Sequence, residues 1–176
     1  SPLIKIDKNN DLVWVKDDTY YHHSLDLNEE GDLWTCVRYF PYAIDSNIVG
    51  TKYQNYKDDG IRKITVNGEI LFDMSVSEIL INNDMEYLLF AVTDNKFKRD
   101  PIHLNDIQPV EYDTKHWNKG DVFLSFRNLS LVILYRPSED RVIWKSENNF
   151  FFNQHDVDII SDNRISIFDN NTKWFH

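Results

Sequence analysis

Two short strand patterns alternate along this chain, and their alternation limits the fold more than any single residue does. The first is a hairpin seen in IKIDKNNDLVW (4–14), RKITVNGEILF (62–72) and ILYRPSEDRVIW (133–144). Each has an apolar-rich strand, a polar turn and a second strand ending in an aromatic. Asn67-Gly68 is the strongest hairpin dipeptide, and Asn9-Asn10 and Ser138-Glu139-Asp140 are weaker turn signals. The second pattern is HHSLDLNEEGDLW (22–34), HLNDIQPVEYD (103–113) and HDVDIISDNRISIF (155–168). Each carries His-x-x-Asp before Leu or Ile: His23 with Asp26, His103 with Asp106, His155 with Asp158. Each then meets a turn and another strand, LWTCVRYF, DVFLSFRN or RISIF. Together the patterns predict an all-β fold built from a repeat of four antiparallel strands. That repeat is the blade of a β-propeller.

The phase of the repeat divides the chain. Residues 1–17 read as the third and fourth strands of one blade. Residues 20–101 read as a second blade with an insertion, 102–148 as a third, and 149–176 as the first two strands of the next. The insertion is VSEILINNDMEYLLFAVT (76–93), whose apolar positions 76, 79, 80, 88 and 89 suit one or two helical turns. It is expected as a short helix or irregular segment on the outside of a blade. About three blades are too few to close a ring. An open arc exposes edge strands and apolar faces. The remainder of the propeller, or a homo-oligomer, is therefore an expected partner.

Composition narrows the ligands. The formal charge of −10 argues against a nucleic-acid or anionic membrane partner. Any small anion must be held by a local cationic pocket. Cys36 is the only cysteine, so no intrachain disulfide forms. The longest apolar run, Tyr87 to Val92, is too short to span a bilayer. No signal peptide is visible at Ser1-Pro2-Leu3, as also holds for a mature secreted protein.

In a propeller the first strand of each blade lines the central channel, and side chains alternate along a strand. His and the Asp three positions on therefore face opposite ways. The histidines are expected to meet at the channel while the aspartates turn away to hold neighbouring backbone. His23, His103 and His155 would share one pocket, with Arg127 of the SFRN strand joining them. A repeat also reproduces residues for packing alone. Three convergent histidines could hold zinc, but no local spacing such as His-x-x-x-His supports it, so no metal and no cofactor is expected. His116 is expected on the surface and His176 is terminal. Trp14, Phe72 and Trp144 are expected between blades, and Phe150, Phe151 and Phe152 in the core.

These same stretches, HHSLDLNEEGDLW, PIHLNDIQPV, GDVFLSFRNLSLVILYRPSEDRVIW and NQHDVDIISDNRISIFDNN, resemble the arylsulfotransferase family over most of residues 20–172. The resemblance implies a six-bladed propeller, usually periplasmic, that moves a sulfuryl group from an aryl sulfate donor to a phenolic acceptor without a nucleotide. It implies a periplasmic or secreted location. Carried over, His155 matches the histidine that becomes sulfated, and His103 the second catalytic histidine. Arg127 matches the arginine on the sulfate oxygens, and the His22-His23 pair the third histidine. His23 is preferred because the internal repeat aligns it. His22 and Asn105 are the expected substrate-binding side chains. The chain departs from the family in reading Phe168-Asp169-Asn170-Asn171 where the family often ends in Gly, and in the longer loop holding TKHWNKG. The alternative is a non-catalytic propeller that binds a small anionic or aromatic ligand in its channel.

Overall fold

The computed structural model of the protein describes residues 1–44, 56–90, 99–147 and 150–172. The end of the expected insertion, 91–93, and His176 lie outside the described residues. The fold is mostly β. Strands β1 (Leu3–Ile6) and β2 (Leu12–Lys16) form a hairpin. A four-stranded sheet follows in the order β3 (Tyr20–Leu27), β4 (Leu33–Tyr39), β5 (Asp58–Ile64), β6 (Ile70–Ser75). A second has the order β7 (Leu104–Pro109), β8 (Val122–Phe126), β9 (Leu131–Arg136), β10 (Arg141–Lys145). Strands β11 (Val157–Ser161) and β12 (Arg164–Ile167) form the last pair. Every neighbouring pair is antiparallel.

Three hairpins share one turn design. In Asp7–Asp11, Asn28–Asp32 and Thr65–Glu69, the first N–H bonds to the fifth carbonyl and the fourth N–H returns to the first carbonyl. The fourth residue, Asn10, Gly31 or Gly68, takes positive φ. Asn and Gly tolerate that conformation better than other residues. The first side chain completes the turn: Asp7, Asn28 and Thr65 each accept the N–H of the fifth residue at 2.7–3.0 Å.

Packing follows the hydrophobic pattern. VFLSF and LVILYR are buried along nearly their whole length, because β8 and β9 are covered on both faces. β3 alternates buried and exposed, as a strand with one solvent face does. The sheets stack in chain order. Leu3 and Trp14 pack on Tyr21, Val37 and Ile64; Cys36, Ile61 and Trp34 pack toward Ile107, Leu124 and Ile133; Phe123, Val132 and Leu134 pack on Val157, Ile159 and Ile165.

Helix α1 (Val76–Asn82) corrects one expectation. Its start is capped by Ser75, whose Oγ accepts the N–H groups of Ser77 and Glu78. Val76, Ile79 and Leu80 then share one face and are fully buried. That face is wedged between the two four-stranded sheets rather than standing outside a blade. Burying Ile79 and Leu80 contributes about 1.5–3 kcal/mol each. Asn83, just past the helix, donates to Asp140 O at 3.2 Å and accepts from Val142 N–H at 2.8 Å, which ties the helix end to β10. Trp144 is a second correction: it is 44% exposed, because its face looks into a groove beside the two-stranded β11–β12 sheet. Phe150 is exposed too, while Phe151 is buried.

The first strands of successive sheets, β3, β7 and β11, lie side by side. A free strand edge leaves N–H groups to be satisfied, and here side chains of the neighbouring sheet do it. Asp59 accepts the N–H of Leu104 at 2.9 Å, Ser24 that of Ile107 at 3.3 Å, and Asp106 that of Val157 at 2.9 Å. Asp106 thus holds neighbouring backbone, as its repeat position implied. Asp26 instead accepts from Ser24 Oγ, and Asp158 contacts Ser166 within its own hairpin.

Candidate active site

The histidines are placed by irregularities in these first strands. In β3 the register steps from His22 opposite Cys36 to Leu25 opposite Thr35, so His23 and Ser24 form a bulge. His23 has φ +56° and His103, just before β7, has φ +54°. Such a backbone costs a residue with a Cβ about 1–2 kcal/mol. His103 is held there by its carbonyl, which accepts Arg127 N–H at 3.0 Å, and by Ile102 O, which accepts Asn128 N–H at 3.0 Å. His155 occupies a related place before β11, donating its N–H to Phe168 O at 2.9 Å. The repeat is not exact: the positive φ in this segment falls on Asn153.

The bulge separates the His22 and His23 side chains. The His22 ring is buried and its Nε2 lies 3.4 Å from Asp59 Oδ1. That contact lacks hydrogen-bond alignment, since Nε2 has no hydrogen-bond partner. His23 is exposed. The two Nδ1 atoms are 2.6 Å apart, so one must donate and the other accept. His23 then meets His103 edge-on, with ring centroids 5.1 Å apart. Three imidazoles therefore run in a row: His22, His23, His103. Although part of the ring reaches solvent, desolvation of the rest, then the neighbouring His22 and His103, pushes the His23 ring down to about 4.

His155 and Arg127 close the cluster. Burial lowers the His155 ring below its ordinary value, and the Arg127 guanidinium and His103 push it further the same way. Arg127 begins a 3₁₀ turn, Arg127–Leu129, and its Nη1 donates to Asn128 Oδ1 at 2.9 Å. Among the described residues no carboxylate pairs with it, so its other donors are not committed to an acid and can serve an oxyanion.

The segment before His155 is stitched to the β8–β9 turn. Asn153 Nδ2 donates to Arg127 O at 3.0 Å. The buried Gln154 amide donates to Ser125 Oγ, Phe126 O and Leu131 O at 3.0–3.2 Å. Asn105 is buried, and its Nδ2 donates to Gln154 O at 2.8 Å, while its Oδ1 has no hydrogen-bond partner. It thus sits behind the His155 segment. Sequence reasoning passed over Asn153 and Gln154, although Asn-Gln before a histidine is itself a polar run where a core strand would begin.

It also passed over Asp100, Lys57, Asn128 and Asp59. His103 Nδ1 lies 2.9 Å from Asp100 Oδ2, and Lys57 Nζ lies 2.8 Å from the same oxygen. Burial alone would raise the Asp100 carboxyl, but the hydrogen bonds from His103 and Lys57 outweigh it and hold the group well below the usual range. The fully buried Asp59 takes Arg38 through Nε and Nη2, each at 3.0 Å. The available signal was the Asp58-Asp59 pair that opens β5, DDGIRKI.

Beside the cluster lies a hollow of about 200 Å³ walled by Tyr20, Tyr39, Phe40 and Tyr56, with Arg38 and Lys57. The Tyr20 and His22 ring centroids are 6.4 Å apart, which puts the hollow next to the histidine row. The larger groove, about 420 Å³, holds Trp117, Phe123, Trp144 and Ile165 and none of the clustered histidines. Among the described residues no three His, Cys, Asp or Glu side chains are grouped to hold a metal ion. His116, on its exposed turn, takes no part in the cluster. A family model of the arylsulfotransferases (ASST) matches residues 2–176. No curated protein and no solved structure matches the chain.

Proposed function

The chain belongs to the arylsulfotransferase family, and from that premise we propose that it transfers a sulfuryl group from an aryl sulfate to a phenolic acceptor through a sulfohistidine on His155. The observation that carries this reading is His155 itself, held toward its neutral form by burial and by Arg127 beside it. A neutral imidazole has the lone pair a nucleophile needs. Sulfuryl transfer resembles phosphoryl transfer, with charge spread over the peripheral oxygens, so positioning and cationic donors supply most of the catalysis.

In the first half-reaction a His155 ring nitrogen attacks sulfur. The N–S bond forms, the S–O bond to the aryl group breaks, and the leaving aryloxide takes a proton from His103. Arg127 and His23 hold the sulfuryl oxygens. In the second half, His103 takes the proton of the acceptor phenol, whose oxygen attacks sulfur and breaks the N–S bond. The sum is one aryl sulfate and one phenol exchanged for another such pair, with no nucleotide or metal in the balance. His22 and Asn105 support the site from behind. The aryl ring is assigned to the hollow walled by Tyr20, Tyr39, Phe40 and Tyr56, since aromatic walls favour a ring in edge-on or offset contact. On this reading the four stacked sheets are an arc of a six-bladed propeller, completed by sheets outside residues 1–176 or by a second copy. Its location is then periplasmic or extracellular.

The test is intact-protein mass spectrometry after brief exposure to 4-nitrophenyl sulfate, beside His155→Ala. The expected result is a single sulfuryl adduct mapped to His155, with a burst of nitrophenol. A folded protein that gives neither overturns the reading and leaves a channel that binds an aromatic anion without turnover.

A further inference from the structure

Among the described residues, Asp100 is the one carboxylate in hydrogen-bond contact with the reacting cluster that the mechanism above does not use. It precedes β7 by a few residues, and its side chain is only 17% exposed. A single oxygen, Oδ2, takes both His103 Nδ1 at 2.9 Å and Lys57 Nζ at 2.8 Å. The segment is pinned twice more. Lys57 N–H donates to Arg99 O at 3.0 Å, and Asn128 Nδ2 donates to Asp100 O at 2.7 Å. Asn128 also accepts Arg127 Nη1 through its Oδ1 at 2.9 Å. One short stretch of chain therefore fixes both the His103 ring and the Arg127 guanidinium.

We propose that Asp100, clamped by Lys57, is a positioning residue that keeps the His103 proton on Nδ1 and so presents Nε2 to the leaving and attacking oxygens. An ionised carboxylate only accepts hydrogen bonds, so a ring nitrogen at 2.9 Å from it must bring the proton. Nε2 is then the atom that accepts a proton in the neutral ring and donates one in the charged ring. Free imidazole side chains favour the other tautomer, with the proton on Nε2, so the arrangement has to be imposed. The same logic orients histidines through a partner on the second nitrogen in metal sites and triads. The groups facing His103 are Asp100 on its own segment, His23 from β3, and His155 on the β11 side. Of these three described groups only Asp100 is anionic. Lys57, on the far side of Asp100, limits how far the carboxylate swings. The inference rests on His103 being the acid–base group of the proposed transfer.

The test reads the tautomer directly. Two-dimensional ¹⁵N NMR of the full chain at neutral pH, with the His103 signals assigned by their loss in His103→Gln, is expected to show the Nδ1–H form. Asp100→Ala is expected to shift the ring toward Nε2–H and to lower kcat on the order of 100-fold, the scale of a general acid–base contribution. KM for 4-nitrophenyl sulfate stays near the native value. Asp100→Glu restores the Nδ1–H form and part of kcat. A native His103 protonated on Nε2 overturns the proposal, without need of a variant that folds. So does an Asp100→Ala protein whose tautomer moves while kcat does not. A chain with no sulfuryl transfer whose His103 tautomer still depends on Asp100 overturns the function and upholds the positioning.

Discussion

Asp106→Asn should make this protein more stable, and only at high pH. Asp106 is buried at the edge of β7, where its Oδ2 accepts the N–H of Val157 from the neighbouring sheet. Burial pushes its carboxyl up to about 7, and the nearby Asp26 and Asp156 add to the rise, against the hydrogen bonds from Val157 and Ser24. A folded-state value above the unfolded one means that the stabilising contribution is complete below about pH 4 and is lost as pH climbs through about 7. The rise from 3.8 to about 7 corresponds to roughly 4 kcal/mol between the neutral and ionised forms. Asparagine resembles the neutral form and keeps an oxygen for Val157. Its amide N–H groups, which the carboxyl lacked, need partners in a buried place, and that costs about 1–2 kcal/mol. The expected net gain at about pH 8 is therefore roughly 2–3 kcal/mol, shrinking by most of that amount at about pH 5. His23 and His155 titrate in the opposite sense, their lowered values costing stability as pH falls below the ordinary histidine range. Both histidines are present in both proteins, so they cancel in the difference. Urea unfolding of the two proteins at the two pH values measures it. An Asn variant less stable than the native protein at pH 8, or one whose advantage does not change with pH, refutes the reasoning.

Other perturbations test other parts of the structure. Arg127→Lys removes the guanidinium fork and should lower kcat/KM by about 10- to 100-fold in the nitrophenyl assay, the worth of a charge-assisted hydrogen bond. Because His155 is lowered by burial and by Arg127, the acid limb of the kcat/KM profile should lie below the usual histidine value of about 6.5, with Arg127→Gln moving it up; an acid limb above that value counts against His155 as nucleophile. Gly60→Ala drives a Cβ into the Tyr39 ring and to 2.9 Å from the backbone Met74 O. It should cost about 1–3 kcal/mol in thermal or urea unfolding, and an unchanged stability would show that both Tyr39 and the β6 backbone give way.

The sheet order was legible because the chain spells its strands by period and its turns by Asn, Asp and Gly. The pairing of β7 to β10 runs as the His pattern and the aromatic hairpin predict. The position of α1 was not legible. Val76, Ile79 and Leu80 show an apolar face, but nothing local says that two sheets will close on it. Within the site, the histidines were visible because they repeat. Asp100 and Lys57 were not, because they come from different strand connections, 43 residues apart, and meet only in the folded chain. Trp144 was misplaced for a related reason: an aromatic at a strand end packs inward only where a neighbouring sheet is long enough to cover it.

The backbone itself marks two of these residues. Among the described residues other than glycine, positive φ falls on Asn10, Asp84, Ser130, Asp140, Asn153 and Asn171, whose short polar side chains suit turns and caps. His23 and His103 are the exceptions. A histidine gains nothing from that conformation, and local sequence does not ask for it. Surrounding hydrogen bonds impose it: the β3–β4 register around His23, and the Arg127 and Asn128 N–H groups that fix His103 and the residue before it. Strain held by its surroundings points toward a site. The bonds that hold His103 also place Arg127, and the amides before His155 bond back to that same turn. The reactive groups are thus positioned by one shared set of backbone bonds, while the aspartates of the same repeat bond elsewhere, Asp106 to the N–H of Val157 and Asp26 and Asp158 to serine hydroxyls. This leaves Arg127, which among the described residues has no carboxylate partner, as the cation that meets an anion on a chain of net charge −10.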